Sequence, residues 1–369
     1  MAHPLLVLSL AALTGSLGAG EATWTAYVGT SGPGALGVHA VTLGRATGKL
    51  GQPRLLAEAK GASWVTPHPK GRVLYATGEG REGRVIALRL VGEGKAELIN
   101  AESSGGAGPC HLAVDPSGQT LLVANYGGGS VASLPLRPDG SLGPAVSVIR
   151  HQGSGPSERR QKGPHAHGVH LDRAGRVHVP DLGADRIFVH GLDPATARLA
   201  QDAAPAAVAA PGAGPRHLDF HPSGRFAYVC NELDLTVTAY GVDAATGALR
   251  ALHSLPTLPA GASPEGASTA EILVHPSGKS LYVSNRGHNS LAVYAVADDG
   301  RLSLLQHQPG VPAKPRGFGI SPCGRWLICA GQDAGTLRTY AVAADGRLSD
   351  TGHEVAVAAA ACVVFAPGP

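Results

Sequence analysis

Six times along the chain a short apolar run, a Pro-Ser-Gly type turn and a second run of apolar and aromatic residues follow one another. The copies are "SWVTPHPKGRVLYATGEG" (63 to 80), "CHLAVDPSGQTLLVANYG" (110 to 127), "HGVHLDRAGRVHVPDLG" (167 to 183), "RHLDFHPSGRFAYVCNEL" (216 to 233), "AEILVHPSGKSLYVSNRG" (270 to 287) and "RGFGISPCGRWLICAGQD" (316 to 333). Two alternating runs joined by a Gly-containing turn predict an antiparallel hairpin. Each copy is followed by a further alternating run and a polar turn, as in "SLAVYAVADDGRL" and "TLRTYAVAADGRL". That makes about four strands per repeat, the content of one propeller blade.

A seventh unit is split between the ends. "TWTAYVGTSGPGALGVHAVTLGRATGKL" (23 to 50) lacks a first hairpin strand, and "EVAVAAAACVVFAP" (354 to 367) is a lone strand. Pairing them closes a ring and hides both edges. The expected fold is therefore all-β: one seven-bladed propeller domain over 23–369, with the strand at 355–365 beside 24–30. The Pro- and Gly-rich spacers at 149–164, 201–214 and 255–268 are expected to be loops between blades.

Hairpin geometry sorts the unusual residues. The start of the first strand and the end of the second lie together, opposite the turn. Five positions before the residue that opens each turn stand Ser63, Cys110, His167, Arg216, Ala270 and Arg316. Eleven positions after it stand Glu79, Tyr126, Gly183, Glu232, Arg286 and Gln332. One mouth of the ring should thus gather His165, His167, Arg216, Glu232, Arg286 and Arg316, with Glu271 entering a first strand beside them. Arginines offer paired donors to carboxylate or phosphate, and Glu232 or a histidine can move a proton. Arg216 with Glu232 also reads as a structural ion pair between neighbouring strands. His68, Asp115, His221 and His275 recur at the turns and read as turn formers on the opposite rim.

Composition narrows the classes. With 52 Gly, 28 Pro and 15% charged residues, the chain is rich in turns rather than long helices. Lys and Arg number 30 against 27 Asp and Glu, and no basic tract runs beyond "SERRQK" (157 to 162), so there is no nucleic-acid footprint. "GSGPSERRQKG" lacks the lysine-serine ending of a phosphate-binding P-loop and reads as a mobile basic loop. The five cysteines lack metal-finger spacing and read as buried thiols. The cluster His165, His167 and His170 has no HExxH arrangement and no carboxylate within the run, so no metal is expected. "PLLVLSLAALTGSLGAGEA" (4 to 22) has the apolar core and small-residue end of a signal peptide, which places the mature chain in the periplasm or outside the cell. A cytoplasmic location is the alternative. That apolar core is too short for an ordinary membrane-spanning helix.

"GPCHLAVDPSG", "GPHAHGVHLD" with "VPDLGADRIFVHGLD", "GPRHLDFHPSGRFAYVCNEL" and "HPSGKSLYVSNRGHNSLAVY" resemble the bacterial lactonase family of seven-bladed propellers. That family includes the propeller type of 6-phosphogluconolactonase and is similar to carboxymuconate cyclases. The resemblance runs from about residue 24 onward. It implies hydrolysis of a small anionic sugar lactone without metal or organic cofactor. His167, Arg216, Glu232 and Arg286 fall on the family's site positions, and Gly168 stands where its pattern has serine. Two other readings stay open from sequence: a cycloisomerase acting on a muconate-type lactone, and a non-catalytic propeller that presents its mouth to a protein partner.

Overall fold

The computed structural model describes residues 21–92, 94–201 and 205–367. Seven four-stranded antiparallel sheets, with one extra two-stranded ribbon, follow the chain in order around a central axis. Each regular blade runs from the axis outward. In blade 5 the strands are Pro215–Phe220, Phe226–Asn231, Thr236–Val242 and Leu249–Pro256. Blade 6 spans Ser268–Val274 to Leu302–Gln308 and blade 7 Pro315–Ile320 to Leu348–Ala356.

Blade 1 is shared by the two ends. Ala360–Phe365 is its innermost strand and pairs antiparallel with Thr23–Thr30, with Ala26 opposite Phe365 and Gly29 opposite Cys362. The expected lone strand over 354–367 divides in two, because Ala359 adopts a positive φ of 55° and turns the chain. Residues up to Ala356 complete the outer edge of blade 7, and only the rest crosses over. The leader expected over 1–22 lies outside the described residues except for its last two. Glu21 accepts hydrogen bonds from the Ala46 and Thr47 amides at 2.8 and 2.9 Å, and Ala22 O accepts from Arg45 N. These two residues are tied to blade 1.

The alternating pattern sets the packing. Inward-facing residues of adjacent sheets interleave, as where Tyr228, Cys230 and Val237 of blade 5 meet Ile272, Leu281 and Val283 of blade 6. The aromatic of the second strand joins neighbours. Tyr75, Tyr228 and Tyr282 are buried and donate to the carbonyls of Gly140, Gly300 and Gly346 in the outer turns of the following blades. The turn histidines do the same on the rim. His68, His221 and His275 lie at hydrogen-bond distance from the Gly118, Gly278 and Gly324 carbonyls of the next blade's turn. Gly118 needs to be glycine on two counts: its φ is 75°, and a Cβ there would come within 2.7 Å of the His68 ring.

All three spacers contain strand. Ser147–Arg150 reaches into the first, Ala207–Val208 is the fourth strand of blade 4, and Leu249–Pro256 reaches into the third. Such short pairings carry too few alternating residues to be read from sequence.

Candidate active site

A recurring backbone irregularity builds the mouth. Where the first strands of blades 3, 5 and 7 begin, one residue falls out of register with its neighbour. Pro109 pairs with Asn125 but His111 with Ala124, Pro215 with Asn231 but His217 with Cys230, and Pro315 with Gly331 but Gly317 with Ala330. Cys110, Arg216 and Arg316 are the extra residues of these bulges. A bulge re-aims a side chain, and all three side chains line one cavity of about 590 Å³ at that end of the ring. The second strands deliver Glu79, Tyr126, Glu232 and Arg286 to the same cavity, and His167, Arg81 and Arg160 complete its polar lining.

Glu232 is the centre of the charge arrangement. Its Oε2 lies 3.0 Å from Arg216 Nε and 2.9 Å from an Arg286 Nη, and its Oε1 lies 2.7 Å from Arg160 Nη2. Its side chain is 5% exposed. Burial raises its pKa, but Arg286, Arg216, His167 and Arg160 outweigh that and hold the carboxyl well below the usual carboxylate range. Burial lowers the Arg286 pKa to about 10 against the opposing pull of Glu232.

His167 is buried, with Nε2 3.8 Å from Glu232 Oε2 and Nδ1 3.7 Å from Cys110 Sγ. Burial first, then the Arg216 charge, hold its pKa well below that of free histidine, so it is neutral at pH 7. Cys110 is buried, and desolvation pushes its thiol up to about 12. Gly168 has a steric explanation, since a Cβ there would come within 2.5 Å of His170 Nε2 and 3.0 Å of the Arg216 carbonyl.

Arg216 is tied through two of its nitrogens. Nε meets Glu232, while Nη1 donates to the Ala270 carbonyl and, at 3.2 Å, to His217 Nε2. Arg216 itself lines the cavity. Arg286 Nη2 also donates to Thr269 O at 2.9 Å, while its buried Nε meets no protein acceptor. At the rim Arg316 is 3.5 Å from Glu79, which accepts from Ser31 Oγ at 3.0 Å.

Among the residues expected at the mouth, His167, Arg216, Glu232, Arg286 and Arg316 come together there. His165 and Glu271 do not line the cavity. His165 stacks on the Tyr126 ring at 4.5 Å and its Nδ1 is 2.9 Å from the Tyr126 carbonyl, which turns it away. Glu271 is buried beneath the mouth with Oε1 2.9 Å from His217 Nδ1. His170 lies deeper still, against the His111 ring. The histidine cluster therefore points in three directions.

Arg160 corrects the reading of "SERRQK" as a mobile loop. Gln161 is buried and donates to Leu182 O at 2.9 Å and Asp185 Oδ1 at 2.7 Å, which pins the segment. Arg160 then reaches both Glu232 and, at 3.1 Å, the Tyr126 hydroxyl. It lies outside the repeat, so no column could reveal it.

Residues 25–365 match the family model for lactonases with a seven-bladed β-propeller. The chain belongs to this lactonase family. It is 32% identical over 297 residues to a 6-phosphogluconolactonase of Bacillus subtilis, covering 79% of this chain and 83% of that protein. It is 35% identical to a 6-phosphogluconolactonase of Pectobacterium carotovorum, over 68% of this chain and 72% of the relative. Among solved lactonase-like structures, the periplasmic gluconolactonase of Pseudomonas aeruginosa superposes with a TM-score of 0.87 at 31% identity, over 94% of this chain and all of that one. Among the described residues no helix is long and apolar enough to cross a membrane.

Proposed function

We propose that this lactonase-family chain hydrolyses a small anionic sugar lactone in the arginine-lined mouth of the propeller. The names of its relatives, 6-phosphogluconolactonase and gluconolactonase, support the reaction class. The observation that carries the site is the juxtaposition of neutral, buried His167 with a carboxylate held by three guanidiniums. Five arginines against two glutamates in the lining favour an anionic substrate.

Hydrolysis builds negative charge on the lactone carbonyl oxygen as water adds. A preorganised donor aimed at that oxygen lowers the barrier. Arg216, held through Nε and Nη1 and lining the cavity, is the donor for this task, and Arg286 supplies a second. We assign the base to His167 rather than Glu232. The Glu232 carboxylate is committed to three guanidiniums, whereas burial and Arg216 keep the His167 imidazole unprotonated at pH 7, beside a carboxylate that can stabilise its protonated form. His167 takes a proton from water as the oxygen–carbon bond forms. Glu232 stabilises the resulting imidazolium from nearby. Collapse of the tetrahedral adduct breaks the ring C–O bond, and the imidazolium returns its proton to the ring oxygen, leaving an open hydroxy acid. Arg316 and Arg160 hold the substrate's anionic group at the rim.

The decisive experiment is a panel of phosphorylated and unphosphorylated sugar lactones followed by proton release above spontaneous hydrolysis. Turnover of none of them would refute the reading. The signal-like composition of the segment before Glu21 and the periplasmic gluconolactonase relative support export of this chain as part of the same proposal.

A further inference from the structure

Beneath the mouth, Glu271 and His217 are both buried and neither lines the cavity itself. Their hydrogen bonds nevertheless lead to it. Arginine can only donate, so the 3.2 Å contact between Arg216 Nη1 and His217 Nε2 requires an unprotonated Nε2. A neutral His217 then carries its proton on Nδ1, and this hydrogen is donated to Glu271 Oε1 at 2.9 Å. The same oxygen accepts the Ile272 amide at 3.0 Å. Glu271 Oε1 thereby fixes the His217 tautomer, and the tautomer decides whether Arg216 finds an acceptor or a second donor.

We propose that Glu271, acting through His217, is a positioning residue that fixes the Arg216 guanidinium against the reacting carbonyl. The inference rests on the role given to Arg216 above. Several neighbours bear on the charge states. Burial pushes the Glu271 carboxyl up to about 8, opposed by Arg216 and assisted by Asp219. Burial and the Arg216 charge hold His217 well below free histidine, with His111, His167 and His170 adding to the effect. Both groups are therefore mostly neutral at pH 7. The acid proton belongs on Oε2, since Oε1 already accepts twice. Glutamine reproduces that arrangement, with its amide oxygen in place of Oε1 and its NH2 in place of the O–H. Methionine fills similar space and leaves the His217 Nδ1 hydrogen without an acceptor. The ring can then satisfy itself only by moving its proton to Nε2, where it confronts the Arg216 donor.

Steady-state kinetics of the full-length protein test the relay. E271M is expected to lower kcat about 10- to 100-fold with KM within about threefold, in keeping with the cost of misplacing a catalytic group. E271Q is expected to keep kcat within about threefold. H217A should lose as much as E271M, and the double variant should lose no more than H217A alone. Histidine-selective 15N spectra give a readout independent of turnover: His217 is expected as the Nδ1–H tautomer in the parent and in E271Q, and shifted in E271M. A folded E271M with parental kcat overturns the proposal. So do equal losses in E271Q and E271M, additive losses in the double variant, or a parental His217 protonated on Nε2. If the parent turns over no lactone, the function assigned to the mouth fails, and the tautomer alone decides the relay.

Discussion

Arg216 Nε and Glu232 Oε2 meet at 3.0 Å across the first two strands of blade 5, with both side chains at least 95% buried. A buried pair of this kind contributes little net stability, but removing one partner leaves an uncompensated charge and costs about 3–5 kcal/mol. Here the carboxylate serves two further arginines. Its loss would leave three guanidiniums crowded without their common partner.

His167 and Glu232 are therefore separable by kinetics. H167Q is expected to lower kcat by about 10²-fold or more with KM within a few-fold, as for loss of a general base. E232Q is expected to reduce kcat and raise KM together, because it loosens Arg160, Arg216 and Arg286 at once. Rates must be read above the uncatalysed background at the same pH. A folded H167Q with parental kcat would return the role of base to Glu232.

R316A and R160A should act mainly on binding. Arg160 is 34% exposed and Arg316 21%, so an anion held by either would sit in partly screened surroundings. Their KM values are expected to rise about 5- to 20-fold with a smaller change in kcat, and more at low salt than at high salt. An unchanged KM in both variants would remove them from the substrate site.

Stability should pass through a maximum near pH 6.5. Burial pushes Asp219 up to about 7 and Glu271 up to about 8, so the folded state holds protons that the unfolded chain releases. Their contribution is full below the ordinary carboxyl pKa and is lost as pH rises through 7 and 8. Burial, with lesser charge effects, lowers His170 to about 3 and His111, His167 and His217 well below 6.5. These four favour folding above 6.5, and their contribution is lost as pH falls below it, when only the unfolded chain takes up protons. Urea midpoints from pH 5 to 9 check this. E271Q should flatten the alkaline side, and an unchanged slope there would contradict the assignment.

Ring closure is testable by truncation. A chain ending at Ala359 loses the innermost strand of blade 1 and leaves Thr23–Thr30 as an open edge. It is expected to melt at lower temperature and over a broader range, and to self-associate in sizing chromatography. A monomer with the parental melt would show that the strand is dispensable.

The proposed export is read by mass spectrometry of protein from its native host. Since Glu21 caps the turn at residues 46 and 47, the mature N-terminus is expected at or just before Glu21. Soluble protein retaining the intact leader would refute it.

The repeat made the fold and much of the mouth legible in sequence. Arg216, Glu232, Arg286 and Arg316 fall at fixed distances from recurring turns, and a repeating backbone carries equivalent positions to equivalent places. Glu271 follows the same logic one step too far. Ala270 occupies the column of Arg216, and Glu271 that of His217, whose side chains point beneath the mouth rather than into it. The bulges that create this difference depend on pairing across strands and leave no mark in a single strand's pattern. His165 and Arg160 belong to the irregular segment before blade 4, where orientation follows from contacts with Tyr126 and Gln161 rather than from periodicity.

The shared blade also orders events at the ribosome. Thr23–Thr30 emerges early, yet its inner partner at Ala360–Phe365 is translated only after the other six blades. The nascent chain must therefore carry an incomplete first blade through nearly all of its synthesis, and the closing contact spans almost the whole polypeptide. Under the export proposed above, this delay is useful: the ring has no latch until its last segment is made. It also makes that interval the time when the half-built blade most needs a chaperone's cover.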